Sequence, residues 1–165
     1  MVAVVQRVKR AQVSVNSTAI SQIGQGLLVL VGVHKSDTDT DVAFLAKKLP
    51  GLRIFPDDAG KMNRSLLDIQ GEMLLVSQFT LCGDVYSGRR PSFTDAAAPE
   101  IAIGLLTKLV KSIQEQGVSV YTGEFAAHME VELVNVGPVT FIIDSSKAVL
   151  SQNKTDARCK KQETI

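Results

Sequence analysis

The chain reads as an α/β protein: a compact single domain in which two short amphipathic helices pack on a mainly antiparallel β system. Three observations carry that reading. Residues 27–33 and 73–76 are unbroken apolar runs bounded by glycine or polar residues, the pattern of strands buried on both faces. Two other stretches repeat apolar residues at helical spacing: Val42, Leu45, Ala46 and Leu49, then Ile101, Leu105, Leu106, Leu109, Val110 and Ile113. Finally, 165 residues with 45% apolar and 21% charged content can close one core without disulfides or metals, as ordinary globular domains do.

Val2 to Val15 alternates as a strand, with Val2, Val4 and, after a shift, Val13 and Val15 apolar against Gln6, Lys9 and Gln12. Asn16-Ser17 is turn chemistry, and Thr18 to Ile23 returns as a second strand. Residues 27–33 follow as a central strand, with His34 expected at a surface or edge. Ser36-Asp37-Thr38-Asp39 offers N-caps for the first helix, which Pro50-Gly51 ends. Residues 52–55 are expected as a short strand. Residues 56–60 are expected as a turn, because Asp57-Asp58 lacks the alternating oxygens and downstream glutamate of a calcium loop.

The strand at 72–76 leads into Ser77, Gln78, Phe79 and Thr80, three of them polar where the strand should still be in the core. Buried hydroxyls and amides need partners, so this is either a functional site or a strand end whose side chains bond neighbouring backbone. Residues 83–98 form a long loop, and its Arg89-Arg90 pair either holds a phosphate or is simply solvated. Pro99 opens the second helix at its first position, and Gly117 follows its end. Residues 119–122 make another strand. Met129, Val131 and Leu133 alternate against Glu130 and Glu132. Asn135-Val136-Gly137-Pro138 interrupts before residues 139–143 resume. A proline cannot serve a central ladder, so Gly137-Pro138 is a bulge, edge or turn, where a cis bond is most at home. From Ser145 the periodicity is lost, and a polar, mobile tail is expected over 145–165.

That tail holds five basic and two acidic side chains, which leaves 13 basic and 15 acidic over 1–144. A near-neutral body is not the footprint of a protein that holds nucleic acid by phosphate contacts alone. No apolar run approaches a membrane span, and the N-terminal charges follow the apolar residues, the reverse of a signal peptide, so a cytoplasmic location is expected. Two cysteines, Cys82 and Cys159, suit a reducing compartment. There is no phosphate-binding loop, dinucleotide fingerprint or nucleophile elbow. His34 and His128 with the cysteines lack zinc-ligand spacing, and no metal or cofactor is expected. A Cys82–His128 nucleophile pair, for a thioesterase-like activity, is weighed against Cys82 as a small buried residue.

Taken together, Gln6-Arg7-Val8, Ser77-Gln78-Phe79-Thr80-Leu81, Arg90-Pro91-Ser92-Phe93, Thr122-Gly123-Glu124-Phe125 with Met129, and Asn135-Val136-Gly137-Pro138-Val139-Thr140 resemble the D-aminoacyl-tRNA deacylase (D-tyrosyl-tRNA deacylase) family. The likeness runs in order over residues 1 to about 144. It implies helices on one side of a two-sheet, barrel-like β core. It also implies hydrolysis of the ester between a D-amino acid and the terminal adenosine of tRNA, a proofreading activity. By resemblance, backbone N–H groups near Phe79 and Thr80 meet the oxyanion, with Ser77 and Gln78 in the same catalytic segment. The Thr80 hydroxyl would orient the reacting groups. A cis Gly137-Pro138, steadied by Arg7, would enter the site of the other subunit of a homodimer and exclude L side chains. Phe125 and Met129 would line the adenine pocket. The competing expectation is a nucleic-acid-binding protein on the same fold that uses the basic tail.

Overall fold

The computed structural model describes residues 1–86 and 88–148. Its elements are β1 (Val2–Val15), β2 (Thr18–Ile23), β3 (Gly26–Gly32), α1 (Asp39–Lys48), β4 (Phe55–Pro56), β5 (Met62–Arg64), β6 (Glu72–Ser77), a 3₁₀ turn (Phe79–Cys82), α2 (Pro99–Gln114), β7 (Val120–Thr122) and β8 (Met129–Asp144). The main sheet runs β2-β1-β3-β6-β7, with β8 on the other edge of β1. β1 pairs antiparallel with β2, β3 and β8, whereas β3, β6 and β7 run parallel. The Ser21 hydroxyl donates to Thr122 O, so β2 curls round to β7 and the sheet nearly closes as a barrel.

The unbroken apolar strands follow from this arrangement, because the sheet is covered on both faces. On β3 and β6, Leu27, Val29, Val31, Met73 and Leu75 face the helices, where they meet Leu45 and Leu49 and the α2 residues Leu105, Leu106, Leu109 and Ile113. Leu28, Leu74 and Val76 face inward to a second core with Val8, Ala11, Val13 and Ile23. The long β1 serves both cores by slipping register. Ala3 and Val5 lie in the first core, and after irregularities at residues 6–10 Val8, Ala11 and Val13 lie in the second. The buried set therefore replaces the expected Val2, Val4 and Val15, which are half-buried.

α1 forms where its spacing predicts, and Thr38 is the cap. Its hydroxyl accepts from Thr40 N, while Asp41 accepts from Thr38 N at 2.8 Å. α2 buries Ala102, Leu105, Leu106, Leu109 and Ile113, but Ile101 is exposed, displaced from the expected stripe by Ala102. Gly117, three residues past the end of α2, takes φ +89°. The expected strand at 52–55 reduces to Phe55–Pro56 paired with Met62–Arg64. Residues 52–54 turn locally instead, with Ile54 N bonded to Leu52 O at 3.1 Å.

Of the bulge, edge or turn expected at Gly137-Pro138, the structure shows the bulge, with one long strand running through it. Gln6 pairs with Thr140 and Val8 with Asn135, so Arg7 alone opposes residues 136–139. Ordered contacts also run past Asp144. Ser145 is buried and accepts from the Met1 α-ammonium at 2.6 Å, which also pairs with Asp37 at 2.6 Å. The rest of the expected tail, residues 149–165, lies outside the described residues.

Ser145 in turn donates to Asp41 Oδ1 at 2.6 Å. Burial pushes Asp41 up, but bonds from Ser145 and Thr38 and the nearby ammonium outweigh it, and the carboxyl titrates below its ordinary value. A depressed carboxylate adds stability above its ordinary range and loses it as pH falls through the folded value. Asp41→Asn should therefore cost about 1 kcal/mol at pH 7 by urea unfolding, the usual loss at a helix cap. Its stability should also fall less steeply than the wild type's below about pH 4. Parallel acid limbs would remove Asp41 from the account.

Candidate active site

β6 ends at Ser77 and the chain tightens at once into the 3₁₀ turn. This corrects the expectation that Ser77, Gln78 and Thr80 sit inside a buried strand: Ser77 and Gln78 are half-buried, and Phe79 and Thr80 are exposed. The turn can lie against β3 because Gly32 is there. A Cβ at Gly32 would stand 2.9 Å from Leu81 Cβ and 3.0 Å from Gln78 O. Gln78 N holds Val31 O at 2.8 Å, fixing the entry to the turn. As the first N–H groups of a 3₁₀ turn, those of Phe79 and Thr80 have no acceptor within it, and none meets them elsewhere among the described residues. The Gln78 side-chain amide donates to Thr80 Oγ1. That bond uses an oxygen lone pair and leaves the Thr80 proton free to be donated.

The turn opens on a cleft of about 530 Å³, a size that suits a nucleoside or small ligand. Ser77, Gln78, Phe79, Phe125 and Met129 all line it, and so does His128. One wall comes from the chain between β7 and β8. Ala126 there takes φ +62°, and a Cβ at Gly123 would stand 2.6 Å from Met129 Sδ, so glycine lets the Met129 side chain lie close. The other wall is Ala96, Ala97, Pro99, Ala102 and Leu106. Sequence reasoning missed that wall, since small residues there act by backbone shape and leave no chemical signature. Phe93 packs edge-on against Phe79 with ring centroids 5.0 Å apart, anchoring the long loop to the turn. Asp84 and Ser92 exchange backbone bonds of 2.8 and 2.9 Å that close the loop's neck, and Arg89 and Arg90 stand exposed at its tip.

Cys82 is not part of the cleft. It is the buried last residue of the turn, and burial, with Asp37 and Asp95 nearby, pushes its thiol up, away from the reactive thiolate. That overturns the Cys82–His128 pair. No group of three or more His, Cys, Asp or Glu side chains able to hold a metal occurs among the described residues.

Arg7, Gly137 and Pro138 form a separate cluster that does not line the cleft of their own chain. The Gly137-Pro138 peptide is cis, and Gly137 has φ +126°. Asn135 clasps the neck of the bulge: its Oδ1 accepts from Val139 N at 2.8 Å and its Nδ2 donates to Thr140 Oγ1 at 3.0 Å. Arg7 Nε donates to Val136 O at 3.0 Å and Nη1 donates to Ile54 O, pinning the bulge to residues 52–54. Gly137 and Pro138 themselves are exposed. Beside them Val136, Phe141 and Ile142 are exposed too, Ile142 at 74%.

Residues 4–144 match the family model described as D-Tyr-tRNA(Tyr) deacylase. The chain is 55% identical over 148 residues to a D-aminoacyl-tRNA deacylase of Clostridioides difficile, covering 90% of this chain and 99% of that one. It is also 55% identical over 147 residues to that of Thermotoga petrophila, covering 89% and 99%. Among solved structures, the c-Myc DNA unwinding element binding protein superposes with a TM-score of 0.82 at 38% identity, over 87% of this chain and 98% of that one. A probable eukaryotic D-amino acid tRNA deacylase shares the fold, with a TM-score of 0.75 at 18% identity over the same shares. A match over nearly the whole folded body, at this identity, makes the chain a member of the D-Tyr-tRNA(Tyr) deacylase family.

Proposed function

We propose that this protein hydrolyses the ester joining a D-amino acid, or glycine, to the 3′-terminal adenosine of tRNA, and so returns misacylated tRNA to use. The observation that carries the reading is the Ser77–Thr80 junction, which lines an apolar cleft with Ser77, Gln78 and Phe79 and carries acceptor-free amides at Phe79 and the adjoining Thr80, in a chain of this family.

An aminoacyl ester is already an activated acyl group, so a positioned water and oxyanion donors suffice. The Phe79 and Thr80 N–H groups receive the developing oxyanion. The Thr80 hydroxyl, already accepting from Gln78, takes the attacking water on its second lone pair and donates to the substrate's 2′-hydroxyl; as the acyl–oxygen bond breaks, the water's proton passes to the departing 3′-oxygen. The hydroxyl orients and does not attack, for no base touches it. Phe125 and Met129 hold the adenine. Chirality is judged by Gly137 and Pro138 of a second copy, whose carbonyls take the substrate's amino group and leave no room for an L side chain. Exposed apolar side chains on β8 beside Gly137-Pro138, Ile142 above all, support a homodimer that covers them. No helix among the described residues is long and apolar enough to cross a membrane, which accords with a cytoplasmic place of work. The reading calls for no metal or cofactor.

The direct test is deacylation of D-tyrosyl-tRNA and L-tyrosyl-tRNA side by side. Fast loss of the D ester with the L ester spared is expected, and loss of both would sink the steric filter. Glycyl-tRNA should be cleaved as well, because glycine has no side chain to reject; its resistance at high enzyme would show that exclusion is not the sole filter. The second reading, a nucleic-acid-binding protein, is favoured by the name of the solved relative at 38% identity. Loss of neither ester with tRNA still bound would support it.

A further inference from the structure

A second cleft, of about 360 Å³, lies against the first. The two share Ser77, Leu106 and Phe125, so the Phe125 ring is a common wall with space on either side. The second cleft is floored by Leu75, Ile103 and Val110 and edged by Thr107, Gln114 and Thr122. Its one charged lining residue is Lys111, which has no ion-pair partner among the described residues. No carboxylate lines either of these two clefts. A third cleft, around Arg10, carries Glu72 and Glu132 and is unsuited to a polyanion. We propose that the second cleft receives the nucleotide that precedes the terminal adenosine of the tRNA, with its base on the apolar floor beside Phe125 and Lys111 as the cation for the backbone phosphate. A single-stranded end is held in this way by stacking surfaces with an adjacent positive charge. Continuity with the adenosine cleft, the unpaired lysine and the absence of carboxylates all favour this occupant.

The proposal rests on the deacylase reading and is tested with two substrates, D-tyrosyl-tRNA and D-tyrosyl-adenosine, which lacks the preceding nucleotide and phosphate. Lys111→Ala should lower kcat/KM on the tRNA about tenfold, the value of one charge-assisted contact, and the loss should fall on KM. The slope of log kcat/KM against log salt should become shallower by about 0.7, one phosphate contact on a single strand. Hydrolysis of D-tyrosyl-adenosine should not change, and Lys111→Arg should restore the tRNA rate. Lys108→Ala is the control, because Lys108 is engaged by Asp39 at 2.6 Å and does not line the cleft. An unchanged tRNA rate in Lys111→Ala, or an equal loss on both substrates, would overturn the subsite while leaving the deacylase standing. A wild-type protein that cleaves neither substrate would remove both.

Discussion

Gly137→Ala is expected to lower kcat/KM for D-aminoacyl-tRNA by about 10²-fold or more and to erode discrimination against the L ester. At φ +126° an alanine is strained, by roughly 1–2 kcal/mol. Its Cβ would also stand 2.8 Å from Arg7 Nη2 and 2.7 Å from Val139 Cγ2. Neither neighbour can retreat cheaply. Arg7 is held by the Val136 and Ile54 carbonyls, and Val139 is buried with its N–H bonded to Asn135. The bulge must therefore re-form, carrying the Gly137 and Pro138 carbonyls out of position, and a displacement near 1 Å suffices for a loss of about 10²-fold. Residue 137 is exposed, so the fold should survive, which circular dichroism and thermal unfolding would check. A variant with wild-type rate and wild-type preference for the D ester would take Gly137 out of the filter.

Thr80→Val is the second large effect. It keeps the shape of the side chain and removes the hydroxyl, at an exposed position where the fold does not depend on it. If the hydroxyl orients the reacting groups, kcat should fall about 10²-fold with KM little moved, and Thr80→Ser should recover most of the rate. The alternative, a covalent nucleophile, predicts complete loss in the valine variant and an acyl-enzyme in rapidly quenched wild-type reactions. Trapping such an ester on Thr80 by mass spectrometry would reverse the assignment. The Gln78 amide argues for the first outcome, since a donor on Oγ1 draws density from the oxygen that would have to attack.

The parts of the fold legible in the sequence are those whose signal is local. The α1 cap at Thr38, the stripe from Val42 to Leu49, Pro99 at the head of α2, and the doubly buried strands β3 and β6 need only near neighbours to be read. What escaped depends on a distant partner. β8 continues through Gly137-Pro138 because β1 runs alongside it, and only that pairing selects the bulge over the edge or turn that the proline equally allows. β5 is three residues long and exists as the mate of β4. The 3₁₀ turn at 79–82 is too short to leave a period. For the site, polar residues closing an apolar strand drew notice to Ser77–Thr80, but the alanine wall from 96 to 102 and the place of His128 in the cleft emerge only from the packing.

The cleft floor includes Val31, which belongs to the core beneath the helices, and Val76, which belongs to the core inside the sheet. The site is thus an outcrop where two separate interiors reach the surface side by side. Because close-packed interiors pass strain along and do not absorb it, a change of one methyl group in either is felt at Ser77 and Gln78, through the strands both share. In this architecture the rate of the reaction is also a gauge of packing in parts of the molecule the substrate never touches.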